Sequence, residues 1–157
     1  MFSTSEILDL AIRIEKNGEA VYRQAADKLS NPELVTLLTW MADEEVKHAQ
    51  WFSDLKSKLS ITSDNPFIEE MSHELFDDLL GEKNFSHKDV DFDRVQNVDE
   101  LMAIFIEFEK DSVLFYEVLE PFIEDETTLE NLKEIIAEEN KHITKLQQFM
   151  GSEIALF

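Results

Sequence analysis

Residues 41–52 read MADEEVKHAQWF, and residues 135–146 read IIAEENKHITKL. Each stretch sets an acid and a histidine three residues apart, Glu45 with His48 and Glu139 with His142. On a helix, residues i and i+3 share a face, so each pair projects a carboxylate and an imidazole side by side. The segments stand 94 residues apart. The same shift brings Ser3 onto Asn97, Glu6 onto Glu100, Ile12 onto Ile106, Glu15 onto Glu109 and Tyr22 onto Tyr116, with no gap. Glutamate is abundant, so matching glutamates alone carry little weight. Histidine is rare: of four in the chain, two fall in register, and the tyrosine pair adds to them. The chain reads as a duplicated helical hairpin packed with pseudo-twofold symmetry.

The helix signals agree. Ser3 with Glu6 forms a capping box for a first helix that runs to about Ser30. Asn31 as N-cap and Pro32 as first helical residue open a second, to about Leu59. So short a connection makes the two helices antiparallel neighbours. Asn97 with Glu100 opens a third long helix ending near Glu124, and Thr127 with Glu130 opens a fourth ending at Met150 and Gly151. Between the hairpins, residues 61–97 form a long crossover, with a short helix expected over 66–80 and a stop at Gly81. Hairpin 3–59, crossover 61–97 and hairpin 98–150 make one all-α domain spanning 1–157. Two helices, a long crossover and two more helices is the topology of a ferritin-like four-helix bundle. Three glycines and three prolines leave little punctuation for an alternative built of short strands.

The apolar stripes reveal what the bundle encloses. They read Leu8, Ala11, Glu15, Gly18, Tyr22, Ala25, Leu29; then Leu34, Leu38, Met41, Glu45, His48, Phe52, Leu55, Leu59; then Leu101, Phe105, Glu109, Ser112, Tyr116, Leu119, Ile123; and last Leu132, Ile135, Glu139, His142, Leu146, Phe149. Each would be an ordinary core face but for its central glutamate. Carboxylates buried at one level must pair with cations, take up protons or bind metal, because desolvation and repulsion cost several kcal/mol per ion. No Lys or Arg lies on the central parts of these stripes; Arg13 and Lys47 fall off the faces that carry Glu15 and His48. Two divalent cations would offset the four charges and leave the imidazoles neutral as ligands. A Glu from each of two helices and a Glu-x-x-His from each of the others is the ligand pattern of di-iron and di-manganese carboxylate bundles. Oxygen-rich ligation with one imidazole per ion suits iron or manganese better than copper or zinc.

Composition narrows the rest. There are 35 acidic against 14 basic residues, for a formal net charge of −21. Phosphate backbones and acidic membrane surfaces need Lys and Arg clusters, so neither nucleic acid nor membrane is an expected partner. The absence of cysteine excludes disulfides, thiolate catalysis and iron–sulfur ligation. The N-terminus lacks the pattern of a signal peptide, and the longest apolar run, residues 101–106, is too short to span a bilayer. A cytoplasmic location is the expectation. Tyr22 and Tyr116 lie two turns beyond Glu15 and Glu109, where their hydroxyls would bond to ligating carboxylates or serve as core aromatics with any nearby acceptor. Trp40 and Trp51 read as core, His73 and His87 as surface, and Glu19 as solvated or paired.

The segments AIRIEKNGEAVY (11–22), ADEEVKHAQWF (42–52) and AEENKHITKL (137–146) resemble the rubrerythrin-like branch of the ferritin-like superfamily. The resemblance covers nearly the whole chain and implies a non-haem di-iron centre with two irons per chain. By that resemblance, Glu15 and His48 are terminal ligands of one iron, Glu109 and His142 of the other, and Glu45 and Glu139 bridge them. These six side chains would also carry the chemistry. It further implies an oxidoreductase that reduces hydrogen peroxide or dioxygen in oxidative-stress defence, fed by a separate electron-donor protein. Two departures stand out. Rubrerythrins carry a four-cysteine rubredoxin-like domain, for which this sequence has no cysteine. They also carry an extra glutamate one turn after the third-helix ligand, where this chain has Ser112 and, at the repeat position, Gly18. The remaining six-ligand set is nearer the symmetric bacterioferritin-like pattern. A ferroxidase or iron-handling role, with ferrous iron as substrate, is the alternative, and a non-catalytic metal-binding role a third. Ser112 and Gly18 are expected to leave a small molecule room to approach the metals. A homodimer is expected, with Phe67, Ile68, Phe76 and Leu79 of the crossover as the apolar contact.

Overall fold

The computed structural model describes residues 4–59 and 90–156. Within them the chain is all α: α1 (Thr4–Lys28), α2 (Pro32–Leu59), α3 (Val98–Leu119), a 3₁₀ turn (Glu120–Phe122) and α4 (Glu126–Gln147). The architecture is the ferritin-like four-helix bundle, α1 packed along α2 and α3 along α4. The crossover helix expected over 66–80, Gly81, the expected dimer-contact residues Phe67, Ile68, Phe76 and Leu79, and His73 and His87 lie outside the described residues.

Local chemistry sets the helix boundaries. The Asn31 side chain accepts the Leu34 N–H at 3.0 Å, and Pro32 follows at the first helical position. Asn97, in extended backbone, accepts the Glu100 N–H at 2.9 Å while the Glu100 carboxylate accepts the Gln96 N–H at 2.9 Å. Three expected boundaries move. The third helix ends at Leu119 rather than near Glu124, because Pro121 has no N–H to offer and its ring obstructs the preceding turn. The fourth begins at Glu126, since Asp125 rather than Thr127 caps it, accepting the Thr128 N–H at 2.9 Å and the Thr128 hydroxyl at 2.6 Å. It ends at Gln147, and a turn carries the chain to Gly151, whose φ of 79° favours glycine. The Gly151 N–H donates to Asp99 at 2.8 Å, and the Ser30 N–H donates to the Leu156 carbonyl at 3.2 Å. The chain end is thereby fastened against both hairpins.

The stripes read from the sequence are the core. Leu8, Ala11, Tyr22, Leu34, Leu38, Met41, Phe52, Leu101, Phe105, Tyr116, Leu132 and Leu146 are all buried. Aromatic rings fill the layers beside the central acids. Tyr22 meets Phe105 edge-on at 5.1 Å, and Phe52 lies 5.0 Å from Tyr116. Trp40 and Trp51 are only partly buried and flank this core. Glu19 pairs with Arg23 at 2.9 Å.

Gly18 has a packing role. A Cβ built there would stand 2.9 Å from Cε1 and 3.2 Å from Cζ of Phe108, whose ring is buried. The ring fills the space that the missing side chain leaves, so Gly18 does not provide the expected approach to the metals from that side. Gly18→Ala gains roughly 1 kcal/mol in helix propensity, but overpacking of this kind typically costs about 1–3 kcal/mol. The expected outcome is a lower melting temperature for Gly18→Ala. Adding Phe108→Leu should relieve the crowding, so that the double variant is less destabilised than the two single changes combined.

Candidate metal centre

Four helices each deliver one buried carboxylate to the same level: Glu15 from α1, Glu45 from α2, Glu109 from α3 and Glu139 from α4. His48 and His142 follow one turn after Glu45 and Glu139 and are buried with them. The ligand atoms form two overlapping groups, each within 4.8 Å: Glu15, Glu45, His48 and Glu139, and Glu45, Glu109, Glu139 and His142. Glu45 and Glu139 belong to both, while the others belong to one each. All six residues singled out in the sequence are therefore brought together, with two central acids between two outer pairs.

The imidazoles point Nδ1 into the cluster. His48 Nδ1 lies 2.6 Å from Glu139 and 3.5 Å from Glu15, and His142 Nδ1 lies 3.4 Å from Glu45 and 3.5 Å from Glu109. The His48–Glu139 approach is close, but its angle does not make a hydrogen bond. The tyrosines do more than fill the core. The Tyr22 hydroxyl donates to Glu109 and the Tyr116 hydroxyl to Glu15, both at 2.5 Å. Each tyrosine thus holds the acid of the opposite hairpin, not the one on its own helix. Ser112 offers nothing to the cluster: its hydroxyl donates to the Phe108 carbonyl at 3.1 Å within α3.

Among the described residues, every buried side-chain nitrogen or oxygen without a hydrogen-bond partner belongs to these six residues. They are Glu15 Oε2, Glu45 Oε1, His48 Nδ1, Glu109 Oε2, Glu139 Oε1 and both ring nitrogens of His142. Each orphaned polar atom costs about 1–3 kcal/mol, so one from every member of a six-residue cluster calls for a common partner. Carboxylate oxygens with one imidazole on each side form a hard, mixed donor set that fits a pair of divalent first-row ions.

The charges tell the same story. Burial and the neighbouring Glu139, Glu15 and Glu109 push the Glu45 carboxyl well above its usual range. Burial and the charges of Glu109 and Glu15 do the same to Glu139. Glu109 is the exception. Burial pushes it upward, but the adjacent Glu139 and His142 and the hydrogen bond from Tyr22 outweigh this and hold it down at about 2. Burial alone would lower both histidines. The adjacent Glu139 and Glu15 raise His48 to about 12, and Glu109 and Glu139 raise His142 to about 10. Burial and nearby carboxylates also keep the Tyr22 and Tyr116 hydroxyls protonated well past their normal range.

Sequence reasoning missed two neighbours. Glu138 Oε2 lies 2.5 Å from His48 Nε2, and Glu44 offers an oxygen within 4.8 Å of His48 and Glu138. The available signal was the doubled acid, Glu44–Glu45 and Glu138–Glu139, which repeats at the same 94-residue shift.

The fold has a solved counterpart. A Thermotoga maritima protein whose crystal structure is described as a ferritin-like diiron-carboxylate protein superposes with a TM-score of 0.70 at 24% identity, covering 98% of this chain and 97% of that one. No curated protein sequence matches this one. The family model for rubrerythrin matches residues 6–150, and the chain belongs to that family. Among the described residues, no helix is long and apolar enough to cross a membrane.

Stability of the metal-free protein should depend on pH with a definite sign. Glu45 and Glu139, raised in the fold, bind protons that the unfolded chain releases above about 4.5. Their stabilising contribution is therefore lost as pH rises. His48 and His142 act in the same direction from 6.5 upward, through about 12 and about 10. Glu109 acts oppositely, but its contribution is lost only as pH falls from 4.5 through about 2. Urea unfolding of chelator-stripped protein should give a lower midpoint at about pH 9 than at about pH 6. The metal-loaded protein should change less over that range, because bound ions replace the protons.

Proposed function

We propose that the chain is a di-iron oxidoreductase that reduces hydrogen peroxide, with Glu45 and Glu139 bridging two ions, Glu15 and His48 completing one and Glu109 and His142 the other. The observation that carries this reading is the set of orphaned buried donor atoms, one or more from each of the six residues. The relative from Thermotoga maritima, described as a diiron-carboxylate protein, and membership of the rubrerythrin family support iron over manganese.

When bound, a ferrous pair supplies the two electrons that convert one peroxide and two protons into two water molecules. The chain's own residues supply position and a dry, charged setting. Tyr22 and Tyr116 fix the orientation of Glu109 and Glu15 through their hydroxyl protons. Because both hydroxyls resist ionisation, these hydrogen bonds persist at neutral and mildly alkaline pH. Phe105, Phe108 and Phe52 around the tyrosines keep bulk water from the carboxylates.

Ser112 gives a reason to keep a second reading. It is buried, and its hydroxyl is spent on its own helix. No seventh ligand comes from that position, and a six-ligand site favours ferroxidase chemistry with dioxygen, ferrous iron then being the substrate.

Elemental analysis after anaerobic reconstitution should find two irons per chain. Glu45→Ala or Glu139→Ala should remove most of both, and Glu15→Ala mainly one; a wild-type content of one ion or none would refute the paired site. Stopped-flow oxidation of the di-ferrous protein separates the two chemistries. One equivalent of peroxide under anaerobic conditions should oxidise it faster than air does. Faster reaction with dioxygen would move the assignment to a ferroxidase.

A further inference from the structure

The internal repeat makes the six inner residues symmetric, but the shell behind the histidines is not. His48 is 3% exposed, and its outward Nε2 faces Glu138, a side chain 46% exposed and backed by solvent. Glu44 gathers on the same edge. The 94-residue shift puts Glu44 in register with Glu138. In a symmetric centre, Glu44 would therefore serve His142 as Glu138 serves His48. Instead it pairs with Lys47 at 3.4 Å, and His142 Nε2 has no hydrogen-bond partner among the described residues. Trp40 covers that side, its ring edge-on to His142 at 5.2 Å and 80°. The ammonium groups of Lys141 and Lys145 stand over the indole at 5.7 and 5.4 Å. Carboxylates thus back one imidazole, and an indole with two cations backs the other.

The difference bears directly on the inner nitrogens. With Nδ1 as donor to an ion, His48 Nε2–H donates to Glu138, which fixes the tautomer, steers the ring and strengthens the donor. His142 has a buried N–H with no acceptor among the described residues. We propose that Glu138 is a positioning residue that makes the Glu15–His48 half the tighter metal site and the first to fill, the Glu109–His142 half filling second. The proposal rests on the paired-metal reading of the centre. Losing an outer-shell carboxylate of this kind typically weakens metal binding about 10- to 100-fold.

The test titrates the metal-free, full-length protein with Mn(II) under nitrogen, reading free Mn(II) from its six-line electron paramagnetic resonance signal. Wild type should bind two ions in steps separated by more than the statistics of two identical sites allow. Glu138→Ala should weaken the tighter step by about 10- to 100-fold, and the weaker step by a smaller factor. Glu138→Gln, whose amide oxygen still accepts a hydrogen bond, should recover part of the loss. His48→Ala should abolish the tighter step and His142→Ala the weaker one. Circular dichroism of each variant verifies that it is folded, as expected for a change at the half-exposed Glu138. Two equivalent steps in wild type, or an equal or absent effect of Glu138→Ala on the two steps, would overturn the proposal while leaving the paired centre intact. Fewer than two bound ions in wild type would instead sink the paired centre itself.

Discussion

Four carboxylates at one level of a closed core are the constraint around which this bundle is organised. Ordinary bundles bury leucine and valine at such positions and gain stability from every one. Here Glu15, Glu45, Glu109 and Glu139 replace apolar packing with groups whose burial as anions costs several kcal/mol each. The flanking layers are correspondingly apolar and aromatic, with Leu38, Met41, Phe52, Phe105, Phe115 and Leu101 fully enclosed. Those layers hold the helices together while the centre, left to itself, would push them apart. The neutralising partner, whether protons or ions, is thus a structural element as well as a chemical one.

The arrangement also divides labour among residues of one chemical type. Glu45 and Glu139 stand between the histidines, while Glu15 and Glu109 sit outside and receive a tyrosine hydroxyl each. Tyrosine hydrogen bonds leave an outer acid one free oxygen, which suits a terminal role. The central acids receive no tyrosine hydroxyl and face both halves of the cluster. Identical glutamates thereby acquire different tasks from their surroundings alone. The same logic separates the two histidines, which are equal in sequence register and unequal in what lies behind them.

The helices and the six inner residues were legible because an internal repeat turned weak individual signals into correlated ones. A lone glutamate says nothing, but Glu15 and Glu109 matched together with His48 and His142 restrict the possibilities sharply. What escaped depended on facts between helices. Gly18 is a small residue in any reading; that it accommodates Phe108 instead of opening a path follows only from how α3 lies against α1. Glu138 faces outward on a simple helical wheel, and only the approach of α2 brings His48 within reach. The tyrosines were expected near carboxylates, but crossing to the opposite hairpin is a property of the packed bundle. The boundary at Asp125 was a contest between two good capping residues close together, decided by the extra bond from the Thr128 hydroxyl. Pro121, by contrast, was a readable stop for the third helix.

The crossed tyrosine bonds carry a consequence for how the molecule assembles. Glu15 with Tyr116, Tyr22 with Glu109, and His48 with Glu138 join residues 101, 87 and 90 positions apart in the chain. The contacts within each hairpin are local by comparison. Chain entropy makes distant closures slow relative to nearby ones, so each hairpin is expected to close before the two meet. In that order of events the acids would lose their water only at the last meeting. Their unfavourable desolvation therefore falls near the end of folding, where it governs how readily the finished protein comes apart rather than how fast its helices appear.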